Sequence, residues 1–151
     1  MVKENDLIDA VVTALRAIPA VVTALESTPT NVIAWKRTSP AATAGPAPML
    51  QALNPPCIMV THLRTFFSRQ IDHQFSLILR TNGTVDDLFS AIREGVPTGY
   101  GGVKFKRAQI HTDCEPPFIS TYEPRLFPIS DSAFLEVYEA TLSLKERGAD
   151  I

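Results

Sequence analysis

Apolar and polar residues alternate most clearly between residues 57 and 80. In CIMVTHLRTFF, residues 57–67, one side of the chain carries Ile58, Val60, His62 and Arg64. The same period of two runs through 71–80, where one side carries Ile71, His73, Phe75, Leu77 and Leu79. Side chains that alternate in this way are typical of a β-strand. The pattern therefore predicts two strands joined as a hairpin that turns near Ser68 and Arg69.

The segment 84–95 changes to the period of a helix. Thr84 is placed to cap it, with Asp87 reaching back, and Gly95 supplies a left-handed exit. Its apolar positions repeat at helical spacing: Val85, Leu88, Phe89 and Ile92. The sequence predicts a hairpin that carries this helix on one face.

The first forty residues predict two more helices and a short strand. Asn5 or Asp6 is placed to cap an amphipathic helix, which Pro19 ends or restarts. Residues 20–26 continue as a turn or two of helix, and 31–37 is typical of a short strand anchored by Trp35. The following segment, 38–56, is rich in proline and small residues, which predicts an extended exposed loop.

The second half predicts two further strands and a second long loop. Residues 103–114 follow a glycine-rich connection at 96–102 and are interpreted as a strand. Segment 115–133 contains prolines and aromatic residues and is interpreted as an extended loop, and 133–147 alternates as a long closing strand. Together these elements predict a single α+β domain, 1–151, with a mostly antiparallel sheet and the N-terminal and central helices packed on it.

Composition restricts the class of protein. The chain has 151 residues, with 14 Lys and Arg against 16 Asp and Glu, so its net charge is -2. It therefore lacks the strongly basic composition that is typical of a nucleic-acid-binding protein. Residues 1–10 do not follow the pattern of a secretory leader, and no run is apolar enough for a membrane span. Cys57 and Cys114 fit buried thiols better than a disulfide framework, although neighbouring strands approach closely enough to leave their pairing open.

Three histidines are candidate metal ligands. His62 and His73 lie in the two strands of the hairpin, within two residues of each other across the ladder, and His111 has Asp113 and Cys114 beside it. None of these residues has the spacing of an established zinc motif. The favoured interpretation is ordinary histidines of the sheet, and no metal, cofactor or catalytic residue is predicted.

The remaining polar motifs also favour structural roles. Cys114 has His111 on the opposite side of a strand, GYGG precedes a strand instead of opening a helix, and Asp86 with Asp87 suits the first turn of a helix. A basic strip on the sheet is a rival interpretation, in which a small nucleic-acid-binding module uses a platform of four residues: Arg64, Phe66, Lys104 and Lys106.

Three segments together resemble the tail terminator, or tail-completion, proteins of tailed bacteriophages. They are DLIDAVVTALRAIPAVV with its proline break, the central strand pair followed by TVDDLFSAIREGV, and the closing strand FLEVYEATLSLKERG. The resemblance implies a tail-terminator-like α+β fold without enzyme activity or cofactor. It implies a structural virion protein of the head-to-tail joint, which caps the tail tube as an oligomeric, hexameric ring after assembly in the host cytoplasm. Another neck or head-completion adaptor is the alternative.

The implied partners are other copies of the chain, the tail-tube protein, and connector or neck proteins, while DNA passes through the lumen without sequence-specific binding and no membrane is involved. A ring subunit needs different surfaces on its two sides, so apolar residues of the predicted loops become interface candidates. These are Pro46, Met49, Tyr100, Phe118, Tyr122, Leu126 and Phe127. A ring without strong positive charge suits DNA passage, since a basic lumen would retain the duplex.

Overall fold

The computed structural model describes residues 1–37, 45–81, 85–95, 110–128 and 132–147. In chain order the elements are α1 (Glu4–Arg16), α2 (Pro19–Ala24), β1 (Val32–Trp35), α3 (Ala47–Ala52), β2 (Cys57–Phe67), β3 (Ile71–Arg80), α4 (Val85–Gly95), β4 (Phe118–Pro128) and β5 (Phe134–Lys145). The strands form one sheet in the order β1-β2-β3-β5-β4, in which β1 and β2 are parallel and the other neighbours antiparallel. The predicted α+β class with a mostly antiparallel sheet is confirmed.

The strongly periodic segments fold as their patterns predict. Strands β2 and β3 pair as a hairpin, β5 forms the long closing strand, and α4 begins one residue after Thr84. Thr84 itself lies outside the described residues, and so does the predicted cap. None of the described helices combines the length and the hydrophobicity that crossing a bilayer requires.

Helices α1, α2 and α4 cover one face of the sheet. Leu7, Ile8 and Val11 of α1 are fully buried against the apolar side of β2 and β3, where Phe75 is also fully buried. The two side chains Leu88 and Ile92 bring α4 into the same core. Pro19 occupies the first turn of α2, where a missing backbone N–H costs nothing, so the proline restarts the helix.

Helix α1 begins earlier than the sequence indicates. Asn5 and Asp6 do not cap it: the helix starts at Glu4, with Lys3 at the N-cap and no side-chain cap. The backbone N–H of Val2 donates to Glu146 Oε1 at 2.6 Å, and the N–H of Leu7 donates to the carbonyl of Lys3 at 3.2 Å. The residue just before the N-cap, Val2, is therefore bound to Glu146, which directly follows β5.

The opposite face of the sheet is covered at one end by α3, where the sequence predicts only loop. Ala47 and Leu50 of this helix are buried against a second apolar cluster, which includes Met59 and Ile78. The prediction of an extended loop through 38–56 is therefore corrected at 47–52, and residues 38–44 lie outside the described part. A six-residue helix among prolines has no periodic pattern to detect, and its burial arises from the sheet below it.

The predicted loop 115–133 is also corrected, because Phe118–Pro128 forms strand β4. It pairs with β5 along its whole length, from Phe118↔Ser143 to Pro128↔Phe134. Prolines argue against a central strand, but β4 is the edge of the sheet, where one side of the backbone needs no partner. The prolines are thus compatible with the strand and indicate its edge position.

The strand predicted at 103–114 is described only at residues 110–114, and these residues do not form a strand. Residues 110–113 form a turn in which the N–H of Cys114 donates to the carbonyl of His111 at 3.0 Å. Cys114 then makes a single antiparallel bridge with Glu146. Residues 103–109 of that prediction lie outside the described residues.

A bulge in β2 changes which residues share a face. The register shifts between His62 and Arg64, so that Thr65 lies opposite His73 while His62 lies opposite Phe75. The simple alternation placed Arg64 beside His62. Because one extra residue reverses the alternation, Thr65 takes that position instead.

Candidate functional site

His62 and His73 are linked through one hydroxyl on the helix-covered face of the sheet. His62 Nε2 lies 2.8 Å from Thr65 Oγ1, which lies 3.2 Å from His73 Nδ1. The bulge in β2 makes this possible, because it turns Thr65 onto the same face as both imidazoles. The prediction that the two histidines are close across the hairpin is confirmed, with Thr65 between them.

A carboxylate lies at each end of this chain. His62 Nδ1 is 3.2 Å from Glu4 Oε2, and His73 Nε2 is 3.2 Å from Glu146 Oε2. Neither contact is aligned as a hydrogen bond, so the attraction is that of charge and dipole. The histidine network is therefore the series Glu4, His62, Thr65, His73 and Glu146.

The histidine network joins distant parts of the sequence at one end of the sheet. Glu146 accepts a hydrogen bond from the backbone N–H of Val2, and its own carbonyl accepts one from Gln70 Nε2 at 2.8 Å. Glu4 adds the start of α1. The beginning of the chain, the turn of the β2–β3 hairpin and the end of β5 are thus held together.

Burial lowers the pKa of one member of this network, His62. His62 and His73 are 8% and 1% exposed. Desolvation lowers the pKa of His62 below 6.5, an effect that Glu4 partly opposes and that Arg37 and His73 reinforce. A neutral, hydrogen-bonded imidazole with little solvent access is suited to positioning the chain around it.

The three histidines do not assemble into a metal centre. His111 lies apart in the turn after the described gap, where its Nδ1 accepts a hydrogen bond from the N–H of Asp113 at 3.1 Å. Over residues 1–37, 45–81, 85–95, 110–128 and 132–147, no three His, Cys, Asp or Glu side chains are grouped as metal ligands. A cavity of about 520 Å³ opens beside His111 and Glu146, but His62 and His73 do not line it.

The two cysteines are buried thiols on different faces of the sheet. Cys57 packs in the cluster under α3, and Cys114 packs in the core under the other helices, so they do not form a disulfide. Burial raises the pKa of each thiol to about 11. Because the thiolate is the nucleophile, neither cysteine is activated for catalysis at neutral pH.

Exposed apolar side chains concentrate at the turn of the β2–β3 hairpin. Phe66 is 47% exposed and Phe67 65%, and the guanidinium of Arg64 lies 5.9 Å from the ring centre of Phe66. We call residues 64–70 the aromatic tip. Its base is anchored by Gln70 through the histidine network, so two aromatic rings are presented to solvent on a fixed support.

A second exposed apolar region lies at the other end of the sheet. Strand β3 last pairs with β5 at Leu79↔Tyr138, but β4 continues to pair with β5 as far as Pro128↔Phe134. Residues 125–128 and 134–137 therefore extend past β3, and we call them the arm. Leu126 is 55% exposed and Phe134 57%.

The arm forms one wall of a groove of about 730 Å³, whose other wall is the start of α4. The arm groove is lined by apolar side chains and has charged residues among them: Leu79, Val85, Pro124, Leu126, Val137 and Tyr138, with Arg80, Asp86, Arg125 and Glu136. Asp86 and Glu136 are exposed. Arg80 Nη1 instead donates to carbonyls at the end of α3, and Arg125 Nη1 binds the buried carboxylate of Glu139.

The interface candidates from the sequence have different surroundings. Leu126 is exposed in the arm, and Phe127 belongs to β4 although its side chain lies outside the described part. Tyr122 is half-buried, stacked between Phe89 and Tyr138, with its hydroxyl donating to Asp86 Oδ1 at 3.2 Å.

The other candidates are partly covered or not described. Met49 is half-buried against the cluster under α3, Pro46 precedes that helix, and Phe118 lies 5.4 Å from the ammonium of Lys145. Tyr100 lies outside the described residues, as do Lys104, Lys106 and the glycine-rich segment.

Sequence reasoning named Phe66 and Phe67 only as aromatic residues for nucleic-acid contact, and it did not select Phe134. One signal was available: two adjacent aromatic residues at the end of β2 cannot share a face of a strand, so at least one had to leave the core. No corresponding signal marks Glu4 or Glu146, whose partners are fixed by the fold. Comparison with protein-family models and with curated proteins finds no match for this chain.

Proposed function

We propose that this protein is a structural virion protein of the head-to-tail joint of a tailed bacteriophage, a tail terminator that caps the tail tube as a hexameric ring. Another neck or head-completion adaptor is the alternative within the same class. The observation that carries the proposal is the aromatic tip and the arm, two exposed apolar surfaces at opposite ends of one sheet.

Opposite placement of these projections suits a ring subunit. In a closed ring each copy contacts its neighbours through two different surfaces, so each subunit must expose two patches that face away from one another. Phe66 and Phe67 lie at the end of β2, whereas Leu126 and Phe134 lie beyond the end of β3. The ten residues of β3 span roughly 30 Å at about 3.3 Å each, which separates the patches by the length of the domain.

The internal polar groups also suit a structural role. The histidine network holds three parts of the chain together, and the two buried thiols, whose pKa values are raised, pack in the two apolar clusters. A net charge of -2 is compatible with a lumen through which DNA passes without being retained. Tail-tube and connector proteins are the proposed partners of the faces above and below the ring.

The test is the mass of the purified protein in solution, measured by light scattering behind a sizing column over a wide concentration range. Electron microscopy of the same fractions shows whether the assembly is a ring with a central opening. A discrete hexameric ring, or a monomer converted to rings by tail-tube protein, supports the proposal. A strict monomer that tail-tube protein leaves unchanged overturns it.

A second candidate function has one specific observation in its favour. The guanidinium of Arg64 lies over the exposed ring of Phe66, an arrangement that suits stacking of an unpaired base. Binding of a single-stranded oligonucleotide that weakens steeply with salt, and that Phe66→Ala abolishes, would support a nucleic-acid-binding module. Salt-independent or undetectable binding would exclude it.

A further inference from the structure

We propose that the aromatic tip of one subunit inserts into the arm groove of the next, as the contact that joins copies of this chain. The inference rests on the proposed function for its partner, a second copy, and adds the residues through which the copies meet. It follows from three features of the two surfaces: their position, their shape and their charge.

Position makes the contact head-to-tail. Strand β2 ends at the tip, β3 runs from the tip toward the other end, and β5 starts in the arm. Because the tip and the groove lie at opposite ends of the sheet, two copies would use both contacts at once only by lying antiparallel, side by side. A head-to-tail contact instead leaves one tip and one groove free, and further copies add to them until the rotation closes a ring.

Shape matches a narrow projection to an open groove. The tip ends in the tight turn at 68–70, where Ser68 Oγ donates to the carbonyl of Gln70 at 3.2 Å, and the two exposed phenyl rings lie at the end of β2, directly before that turn. The groove of about 730 Å³ presents Val85, Leu126 and Tyr138 to such rings. Aromatic side chains that fill a preformed apolar pocket are the usual anchors of protein interfaces.

Charge favours the same pairing. The tip carries Arg64 and Arg69 and no acidic residue between positions 64 and 70. The groove carries Asp86 and Glu136, both exposed, with Asp87 in the same first turn of α4. The two arginines of the groove are directed to internal acceptors, Arg80 to carbonyls of α3 and Arg125 to Glu139. An incoming basic tip therefore meets carboxylates at the rim.

Both surfaces are held in place before they meet. Gln70 and the histidine network anchor the tip, while one side of the arm rests on the cluster under α3 through Leu135 and Val137. Little conformational entropy is then lost on association, which strengthens a contact of modest size.

The experiment uses one variant of each surface in the full chain. Phe67→Asp disables the tip and leaves the groove intact, and Leu126→Asp disables the groove and leaves the tip intact. Both positions are exposed, so folding should be unaffected. Thr13→Asp, an exposed position on α1, is the matched control and should assemble like the natural protein.

Each variant alone should be monomeric in light scattering, with an apparent Kd for association raised at least about tenfold. An equimolar mixture should form a one-to-one dimer that grows no further. The intact tip of Leu126→Asp enters the intact groove of Phe67→Asp, and the other tip and the other groove of the pair are both disabled. That recovery also shows that both variants are folded. Variants that still assemble fully, or a mixture that stays monomeric, would overturn the inference.

The outcomes separate this interface from the proposed function. If the natural protein forms rings and Phe67→Asp forms them equally well, the interface is wrong and the virion proposal stands. If the mixture gives dimers but the natural protein forms open filaments, the interface stands and the ring proposal fails. If Phe67→Asp leaves assembly intact and abolishes oligonucleotide binding, the tip belongs to nucleic acid and the inference fails.

Discussion

The two faces of the sheet are buried by different physical means. On the face under α1, α2 and α4 the strands contribute large apolar side chains, with Phe75 fully buried among Leu77, Ala140 and Leu142. On the other face, beyond the end that α3 covers, the buried side chains are polar: Thr61, Ser76, Glu139, Thr141 and Ser143. The first face depends on filled volume and the second on satisfied hydrogen bonds.

The polar face is satisfied by pairs that cross the strands. Ser76 Oγ and Arg125 Nη1 both donate to Glu139 Oε2, Thr121 bonds to Thr141 at 2.8 Å, and Ser143 Oγ donates to Asp72. Glu123 lies directly opposite Glu139, and the Arg125 cation bound to Glu139 offsets part of the repulsion between these like charges. A buried carboxylate is tolerated here because its donors come from both neighbouring strands.

Residues 75 and 76 offer the strongest test of the difference, because they are adjacent and point to opposite faces. Phe75→Ala should lower the free energy of unfolding by about 3–5 kcal/mol, through lost burial and the cavity left in the core. Ser76→Ala should cost only about 1 kcal/mol, since Arg125 remains bound to Glu139. Urea unfolding at one fixed protein concentration measures both, and equal losses would contradict the distinction.

A charge pair tests the polar face next. Arg125→Ala leaves the carboxylate of Glu139, 5% exposed, without its cation and should cost on the order of 2 kcal/mol, moderated because Arg125 is itself 45% exposed. The double variant Arg125→Met with Glu139→Leu should recover most of that loss, since no unpaired charge remains. A double variant less stable than Arg125→Ala would show that the pair contributes more than it costs to bury.

The histidine network gives a smaller effect with a defined direction. The folded state lowers the pKa of His62 below its ordinary value of 6.5, so near that pH the unfolded chain binds more protons. The contribution of His62 to stability is therefore present above pH 6.5 and is lost as the pH falls through the unfolded value toward the folded one. Urea midpoints between pH 7.5 and 5 should fall more steeply for the natural protein than for His62→Gln, and equal slopes would assign the dependence elsewhere.

The cysteines test whether both faces exclude solvent. Cys57 lies under α3 and Cys114 under the main helices, and burial raises the pKa of both thiols to about 11. Both should react with a thiol reagent at pH 8 only as fast as the protein opens, and rapidly in urea. The labelling rate of Cys57→Ser reports Cys114 on the face under the main helices, and that of Cys114→Ser reports Cys57 under α3. Fast labelling of Cys57 in Cys114→Ser would show that α3 opens on its own.

Sequence by itself determined the elements whose periodicity is long and whose two sides differ. Strands β2 and β3, the closing strand β5 and the helices α1 and α4 all follow from apolar residues at period two or 3.6, because each must place one side against a core. The α+β class follows from their order. The histidines of the hairpin were also predicted to be neighbours, since strand pairing brings them together.

Tertiary structure alone decided the remainder. Helix α3 and strand β4 are stable because of what lies beside them: the apolar end of the sheet for α3, and an edge position that tolerates proline for β4. The bulge that places Thr65 between two histidines, the contact of Val2 with Glu146, and the opposite placement of the tip and the arm join residues distant along the chain. Such contacts have no local periodicity, because their energy depends on how whole elements pack in three dimensions.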